Sequence, residues 1–329
     1  MNNIYLIESP IQLKSAISYS AHLKLKNNIL ILIKSNSKNE NTQIDGVLNK
    51  DKWDNIYILS KFNNRFLNII YMFFYSIFFF LKYRNKVDRV MLGDYRNFFF
   101  ILISRLLKFK EEILLDDGTI VVYLQYKYFR NSMIYEDYCS FFRRIILRFV
   151  SNVKSVPNLY SIFELSCWHD VNQVNYFVNV KKKNTIKSKD IYFFGSKYSE
   201  CGLITLYDEI DALSKVYKKL KLDYEIDSII YIPHRSDSDE KIKMINSLGF
   251  TIKRLNLPAE AYFESLDSYP FVIAGFYTTV LYSLNYYFDF KSVISFDINP
   301  LINDNHDREG AKLIYDYYKN VGINVIDLS

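Results

Sequence analysis

Across residues 231–284, short apolar runs alternate with longer segments whose apolar positions recur at helical spacing. This alternation restricts the fold more than any other property of the chain. The apolar run at 229–232 meets Pro233-His234-Arg235, and Ser236-Asp237-Ser238-Asp239-Glu240 then opens a helix that stops at Gly249. A second run, residues 250–255, leads to Leu257-Pro258-Ala259-Glu260. A third, residues 271–274, breaks at Gly275 and feeds a helix beginning near Thr278-Thr279. Strands separated by helices predict a parallel sheet, and ligands of such sheets sit beyond the strand C-termini. His234, Glu260 and Thr278-Thr279 all fall at such ends.

Each of these side chains suits part of a nucleotide. Two threonines after a glycine offer amides, hydroxyls and the positive end of a helix dipole to a phosphate, although such a pair is also an ordinary helix cap. Glu260 can accept from two neighbouring ribose hydroxyls. His234, with an ordinary pKa of about 6.5, is expected to meet a phosphate as a cation or proton donor, although a single histidine after a strand is more often structural. The acidic residues Asp237 to Glu240 read as a solvated first helical turn. Residues 191–194 form a further strand followed by Gly195-Ser196-Lys197-Tyr198-Ser199-Glu200-Cys201-Gly202, where small residues allow close approach of a ligand.

The N-terminal half carries a second constellation. Residues 4–7 form a strand before Glu8-Ser9-Pro10-Ile11-Gln12, an ordinary helix start. Residues 87–92 end at Gly93-Asp94-Tyr95-Arg96, a loop at the ligand edge, and residues 112–115 end at Asp116-Asp117-Gly118-Thr119. Two carboxylates before a glycine make either an Asp-Gly turn or a general base whose twin raises the pair's titration. No companion ligands suggest a hard cation there, so no metal is expected.

Taken in order, these motifs resemble bacterial CMP-sialic acid-dependent sialyltransferases, the lipooligosaccharide and capsule group with its polysialyltransferase-like members. Glu8-Ser9-Pro10-Ile11-Gln12 is similar to that family's Glu-Ser-Pro-Leu-Gln turn, and Asp116-Asp117-Gly118 to its acidic pair and glycine. Gly195, Glu200 and Gly202 match part of a Gly-Gln-Pro-x-x-Glu-x-Gly pattern, with Ser196 and Lys197 in place of Gln and Pro. His234 stands in a His-Pro motif whose proline is here Arg235. Pro258-Ala259-Glu260 resembles a Pro-x-Glu motif, and Thr278-Thr279 a pair that holds the CMP phosphate.

The resemblance implies an α/β chain of the GT-B class, with two Rossmann-like domains facing a cleft. Residues 1–157 would form the acceptor side with the general base, and residues 158–329 would bind the CMP-sugar. It implies inverting, metal-independent transfer of sialic acid, or a related nonulosonic acid, from its CMP donor to a hydroxyl of a bacterial surface glycan or glycolipid. Asp117, in preference to Asp116, would take the acceptor proton, and His234 would protonate or charge-stabilise the departing phosphate. Gly195, Ser196, Glu200, His234, Arg235, Pro258, Glu260, Gly275, Thr278 and Thr279 would form the donor side, with Glu200 an alternative base. Glu8, Ser9, Asp94, Arg96 and Gly118 would face the acceptor. Two other readings stay open: a GT-B enzyme using CMP-Kdo or a nucleotide-diphosphate sugar, and a non-enzymatic peripheral membrane or glycan-binding protein.

A formal charge of +6 favours anionic partners. Nucleic acid is not expected among them, because no recognition module or dense arginine run is present. Three cysteines at wide spacing form neither a disulfide framework nor a zinc site. The start runs straight into a strand without a basic-then-apolar leader, so a cytoplasmic protein is expected. Residues 66–81 are the most apolar stretch, shorter than the roughly 20 residues of a spanning helix. They read as a buried crossover helix or as an interfacial helix on the inner leaflet. Arg143, Arg144 and Arg148 give a later helix a basic face, solvated or turned to an acidic sugar or anionic lipid. Residues 157–190, with Lys181-Lys182-Lys183, read as the crossing between domains, and Cys167 and His169 beside Trp168 as structural.

Overall fold

The computed structural model describes residues 1–328 apart from 152, 154, 167–171 and 177–185. The chain divides into two compact units, Met1–Val178 and Asn179–Ser329.

Among the described residues the first unit holds seven strands: β1 (Asn2–Ile7), β2 (Asn28–Lys34), β3 (Asn55–Ser60), β4 (Val87–Leu92), β5 (Glu111–Leu115), β6 (Asn158–Ser161) and β7 (Val174–Tyr176). They pair in parallel in the order β3-β2-β1-β4-β5-β6-β7. The crossovers carry helices α1 (Pro10–His22), α2 (Lys38–Val47), α3 (Arg65–Tyr83) and α4 (Phe98–Leu106), then α5 (Ile120–Lys127), α6 (Tyr135–Tyr138) and α7 (Phe141–Val150). Strands such as β2 read as continuous apolar runs because helices cover both faces of a parallel sheet, and Leu30, Ile31 and Leu32 are fully buried. Helix α2 falls in a stretch that reads from sequence as a polar loop.

The boundary lies some twenty residues later than the sequence suggests (178 against 157). Tyr160 pairs with Leu115 of β5 and its hydroxyl meets Ser18 at 2.9 Å, while β7 pairs with β6. Strands β6 and β7 therefore complete the first sheet rather than open the second unit. Cys167, Trp168, His169, the lysine run at 181–183 and the end of the strand expected at 175–180 lie outside the described residues.

The second unit holds β8 (Ile186–Phe194), β9 (Ile229–Ile232), β10 (Thr251–Ile252), β11 (Ser268–Gly275), β12 (Ser292–Asp297) and β13 (Asn324–Asp327). Their order is β10-β9-β8-β11-β12-β13, again all parallel. Its helices are α8 (Leu206–Asp223), α9 (Asp239–Ser247), α10 (Ala259–Glu264), α11 (Thr279–Tyr287) and α12 (Asn305–Asn320). Ile191, Phe193, Tyr231, Val272, Ala274, Ile294 and Phe296 form the centre of its core.

In each unit the first strand pairs with its second on one side and its fourth on the other. This is the doubly wound order, and it opens a crevice beyond the strand ends where the order reverses. In the first unit that switch point lies between β1 and β4, and in the second between β8 and β11.

Two helices present apolar side chains at the surface. Helix α3 is a crossover helix but not a buried one: Met72, Ser76, Phe79 and Tyr83 face the sheet, while Phe66, Phe74 and Leu81 are 69%, 70% and 75% exposed. In α7 only Leu147 is buried. Between them α4 is buried from Phe99 to Arg105, and its Arg105 meets Glu112 (2.6 Å), Glu136 (2.7 Å) and the Tyr95 hydroxyl (3.2 Å).

Candidate functional site

At the switch point of the first unit, residues from four strand ends converge. Glu8 follows β1, Lys61 follows β3, Asp94 and Arg96 follow β4, and Asp117 follows β5. Successive residues of an extended strand point to opposite sides, and this separates the acidic twins. Asp116 turns inward, 2% exposed. Its Oδ1 accepts from the Ser161 hydroxyl at 2.5 Å and its Oδ2 from the Ile162 amide at 2.8 Å, which fastens β6 to β5. Burial pushes its carboxyl up to about 7, against the pull of those two donors. Asp117 turns the other way, into the crevice, and Gly118 at φ +74° makes the turn after it. Asp116 is therefore a structural partner of β6 rather than a second candidate base, and the twins do not form a joint ligand pair for a cation.

Asp117 is held at both oxygens. Gln12 donates to Oδ1 through Nε2 at 2.7 Å, and Arg96 donates to Oδ2 through Nη2 at 2.8 Å. Gln12 is fixed in turn, its Oε1 accepting from the Glu8 amide at 2.8 Å. Gly93 has no side chain because a Cβ there would lie 2.3 Å from the same Oε1. Arg96 also clasps Asp94 through Nε (2.9 Å) and Nη2 (3.1 Å), and Glu8 receives Lys61 at 2.7 Å and Asn97 at 3.1 Å. Three carboxylates thus share two cations. Burial, with the neighbouring charges of Asp94 and Glu8, pushes the Asp117 carboxyl up to about 8 in spite of Arg96 and Gln12. A carboxylate in this position is unusually basic and already oriented by two donors.

Of the expected acceptor-side residues, Glu8, Asp94 and Arg96 belong to this cluster. Ser9 does not: it is buried and caps α1, its Oγ accepting from the Gln12 amide at 3.4 Å. Gly118 contributes only its turn. Gln12 is the member that side-chain chemistry alone misses, although it lies inside the Glu8-Ser9-Pro10-Ile11-Gln12 motif. Lys61 and Asn97 carry no sequence signal.

In the second unit, the loop after β9 holds His234. The Ser236 amide donates to His234 Nδ1 at 3.1 Å, so the ring is neutral and its proton sits on Nε2. Burial, and then the charges of Arg235, Lys197 and Lys241, push the imidazole down to about 4. His234 is thus a neutral hydrogen-bond donor at physiological pH, which removes the cation from the two forms expected of it.

The loop is braced from beneath by a group the sequence does not announce. Lys241, fully buried on α9, reaches Glu209 at 2.6 Å, Asp237 at 3.1 Å, Glu200 at 3.2 Å and the Ser196 carbonyl at 2.8 Å. Although burial opposes its charge, Glu209 and Asp237 hold Lys241 above the usual lysine range. Asp237 accepts from the His234 amide at 3.0 Å and from the Tyr231 hydroxyl at 2.9 Å. It is buried, so the acidic run opening α9 is not simply a solvated turn. Glu200 is bound to Lys241 and to the Ser238 amide at 3.1 Å. Burial alone would raise its carboxyl, but the Ser238 amide and Lys241 hold it below the usual glutamate range, which makes it a weak base. Gly195 likewise has a packing reason: a Cβ there would lie 2.1 Å from the Tyr231 hydroxyl. Gly195, Ser196 and Glu200 therefore belong to the brace.

Across the switch point, Gly275 ends β11, with its Cα close enough that a Cβ would sit 3.2 Å from Cγ2 of Thr278. Thr278 occupies the N-cap position of α11 but makes no side-chain capping bond, while its carbonyl accepts from Tyr318 at 2.7 Å. Pro258 opens α10, and Glu260 accepts from Ser283 of α11 at 2.5 Å through Oε1. The structure thus ties Glu260 to the helix that begins at Thr279. Arg235 sits half-buried beside His234. Among the described residues, Asp304, His306 and Asp307 lie close enough to share a cation, but they are exposed and Asp304 caps α12 through the His306 and Asp307 amides.

Two doubly wound units in one chain, with polar side chains gathered at each switch point, define a protein of the GT-B architecture. Among solved structures, the chain is similar to an α/β-galactoside α-2,3-sialyltransferase of Photobacterium phosphoreum, with 12% identity, TM-score 0.52, and 99% of this chain and 98% of that one covered. It is similar to the same degree to Staphylococcus aureus MnaA with UDP, with 12% identity, TM-score 0.53, and 98% and 88% covered. A third is the UDP-GlcNAc 2-epimerase of Neisseria meningitidis bound to UDP-GlcNAc, with 12% identity, TM-score 0.52, and 98% and 95% covered. At this identity the likeness is one of fold. No protein-family model and no curated protein matches the sequence.

Proposed function

We propose that the protein is an inverting glycosyltransferase that moves sialic acid, or a related nonulosonic acid, from its CMP-activated form to a hydroxyl of a glycan. The observation that carries this reading is Asp117: a carboxylate at a switch point, held at both oxygens and raised to about 8, suited to taking a proton from an alcohol. In the proposed step the acceptor oxygen bonds to the anomeric carbon as its proton passes to Asp117. The bond from that carbon to the CMP phosphate breaks, and the electron pair leaves with the phosphate. The transition state has oxocarbenium character, and attack opposite the leaving group inverts the centre.

The donor is assigned to the second unit. The Nε2–H of His234 and the amides at the start of α11, with the Thr278 hydroxyl, stabilise the departing phosphate, and the free oxygen of Glu260 accepts from the ribose. A neutral imidazole is adequate here, since the leaving phosphate is already ionised and needs hydrogen bonds rather than a full proton. The sialyltransferase motifs and the fold shared with a sialyltransferase favour a CMP donor. Neighbours bound to UDP and UDP-GlcNAc make a nucleotide-diphosphate sugar the competing reading.

The test is turnover and thermal stabilisation with CMP-sialic acid, CMP-Kdo, UDP-sugars and GDP-sugars, each with an acceptor panel read by mass spectrometry. Transfer from CMP-sialic acid that Asp117→Asn abolishes supports the reading. Transfer only from a diphosphate sugar, or no turnover and no stabilisation by any nucleotide, overturns it.

A further inference from the structure

We propose that α3 and α7 form one platform by which the first unit lies on an anionic bilayer surface. Both helices pack against α4, which makes them neighbours of one buried helix. Each turns a broad apolar stripe outward. On α3 it includes Phe66, Phe74 and Leu81; on α7 it includes Phe142 (78% exposed) and Phe149 (86% exposed). A soluble monomer rarely exposes a contiguous apolar patch beyond roughly 300–600 Å². Here Phe66, Phe74, Leu81, Phe142 and Phe149 are each more than two-thirds exposed on two helices that share a neighbour.

The charges select the occupant. Neither helix contains an acidic residue, while Lys82, Arg84 and Arg148 are exposed beside the apolar stripes. Lys82 lies 5.6 Å from the Phe78 ring and Arg84 lies 5.0 Å from that of Phe80, the arrangement of cations flanking aromatics at a lipid headgroup layer. Arg148 is exposed and has no partner among the described residues. A second copy of the same face would bring these cations against one another, whereas anionic headgroups complement them.

Helix α3 is long and apolar enough to cross a membrane by length and composition. Yet its two ends join β3 and β4 of one hydrogen-bonded sheet, and its Phe79 and Tyr83 pack on Tyr57 of β3. Crossing would place those strands on opposite sides of a bilayer, so the fold permits lying on the membrane rather than spanning it.

The test is flotation of the full chain with phosphatidylcholine vesicles, with and without phosphatidylglycerol. Binding to the anionic vesicles is expected, about tenfold or more weaker in Phe142→Ser/Phe149→Ser and in Phe74→Ser/Leu81→Ser. Arg148→Ser should weaken it about fivefold. Since these side chains are exposed, far-UV dichroism and melting of the variants should match the parent. No flotation with either vesicle, or equal flotation with both, overturns the proposal. So does a dimer, seen by light scattering, that the phenylalanine substitutions dissolve.

Discussion

Arg96 donates to Asp117 Oδ2 at 2.8 Å while the same guanidinium clasps Asp94, so a single cation serves two carboxylates. The arrangement orients Asp117 without fully neutralising it. Arg96→Gln should therefore make Asp117 still more basic, moving the ionisation seen in the pH–rate profile upward by about one unit and lowering the rate near pH 7 about tenfold. A profile that stays in place would show that Arg96 does not set the titration.

The parent rate should rise with pH through about 8, as the Asp117 carboxyl, protonated below that point, becomes the base. His234, neutral down to about 4, should impose no inflection between pH 6 and 7. Asp117→Asn should lower turnover by about 10²–10⁴-fold. A loss under tenfold would remove Asp117 from the reaction.

Asp116 should separate from its twin by stability rather than rate. Its folded pKa of about 7 lies above the ordinary 3.8, so the folded state holds a proton that the unfolded state has lost. That contribution is fully present below about pH 4 and disappears as pH rises through 7. Asp116→Asn, whose amide can face Ser161 while its oxygen keeps the Ile162 amide, should flatten the dependence of melting temperature on pH and leave turnover near the parent value. Asp116→Ala, which orphans the Ile162 amide, should cost about 1–3 kcal/mol.

Lys241→Met should destabilise the protein by about 3–5 kcal/mol in denaturant melts, because Glu209 and Asp237 would remain buried without a cation. The His234 amide, bonded to Asp237, should exchange faster in the variant. Unchanged exchange would detach the brace from the loop.

Thr278→Val tests whether that hydroxyl serves the helix or a ligand. The hydroxyl makes no capping bond, so stability should change by less than about 0.5 kcal/mol. Ser238→Ala, which removes a real cap on α9, should cost about 1 kcal/mol. A loss in Thr278→Val as large as in Ser238→Ala would make the threonine an ordinary cap.

The doubly wound architecture was legible because period and punctuation carry it: apolar runs, Ser9-Pro10, Gly249, Gly275. From the candidate sites, what was legible was position along the chain: Asp94, Asp117, His234 and Thr278 each follow the end of a strand, as the apolar runs imply. What could not be read was direction. Adjacent Asp116 and Asp117 look equivalent in sequence, and only the pleat and the pairing of β6 send one into the core. Lys241 and Glu209 meet across 32 residues, the spacing 241 − 209, and nothing local marks either as buried. The boundary at 178 falls inside the crossing expected at 157–190, but the split at 157 came too early because β6 and β7 are short, β6 joining the sheet through β5 and β7 through β6.

The contact between Gly195 and the Tyr231 hydroxyl bears on how a saturation screen of this protein is interpreted. Any larger residue at 195 would shove the phenol aside, release Asp237 and slacken the histidine loop, so activity would fall through packing alone. Pairing Gly195→Ala with a partner that lacks the whole ring tip, Tyr231→Leu, removes both the hydroxyl and the Cζ that the new Cβ would meet and should restore part of the lost function, a rescue that a true contact with substrate would not show.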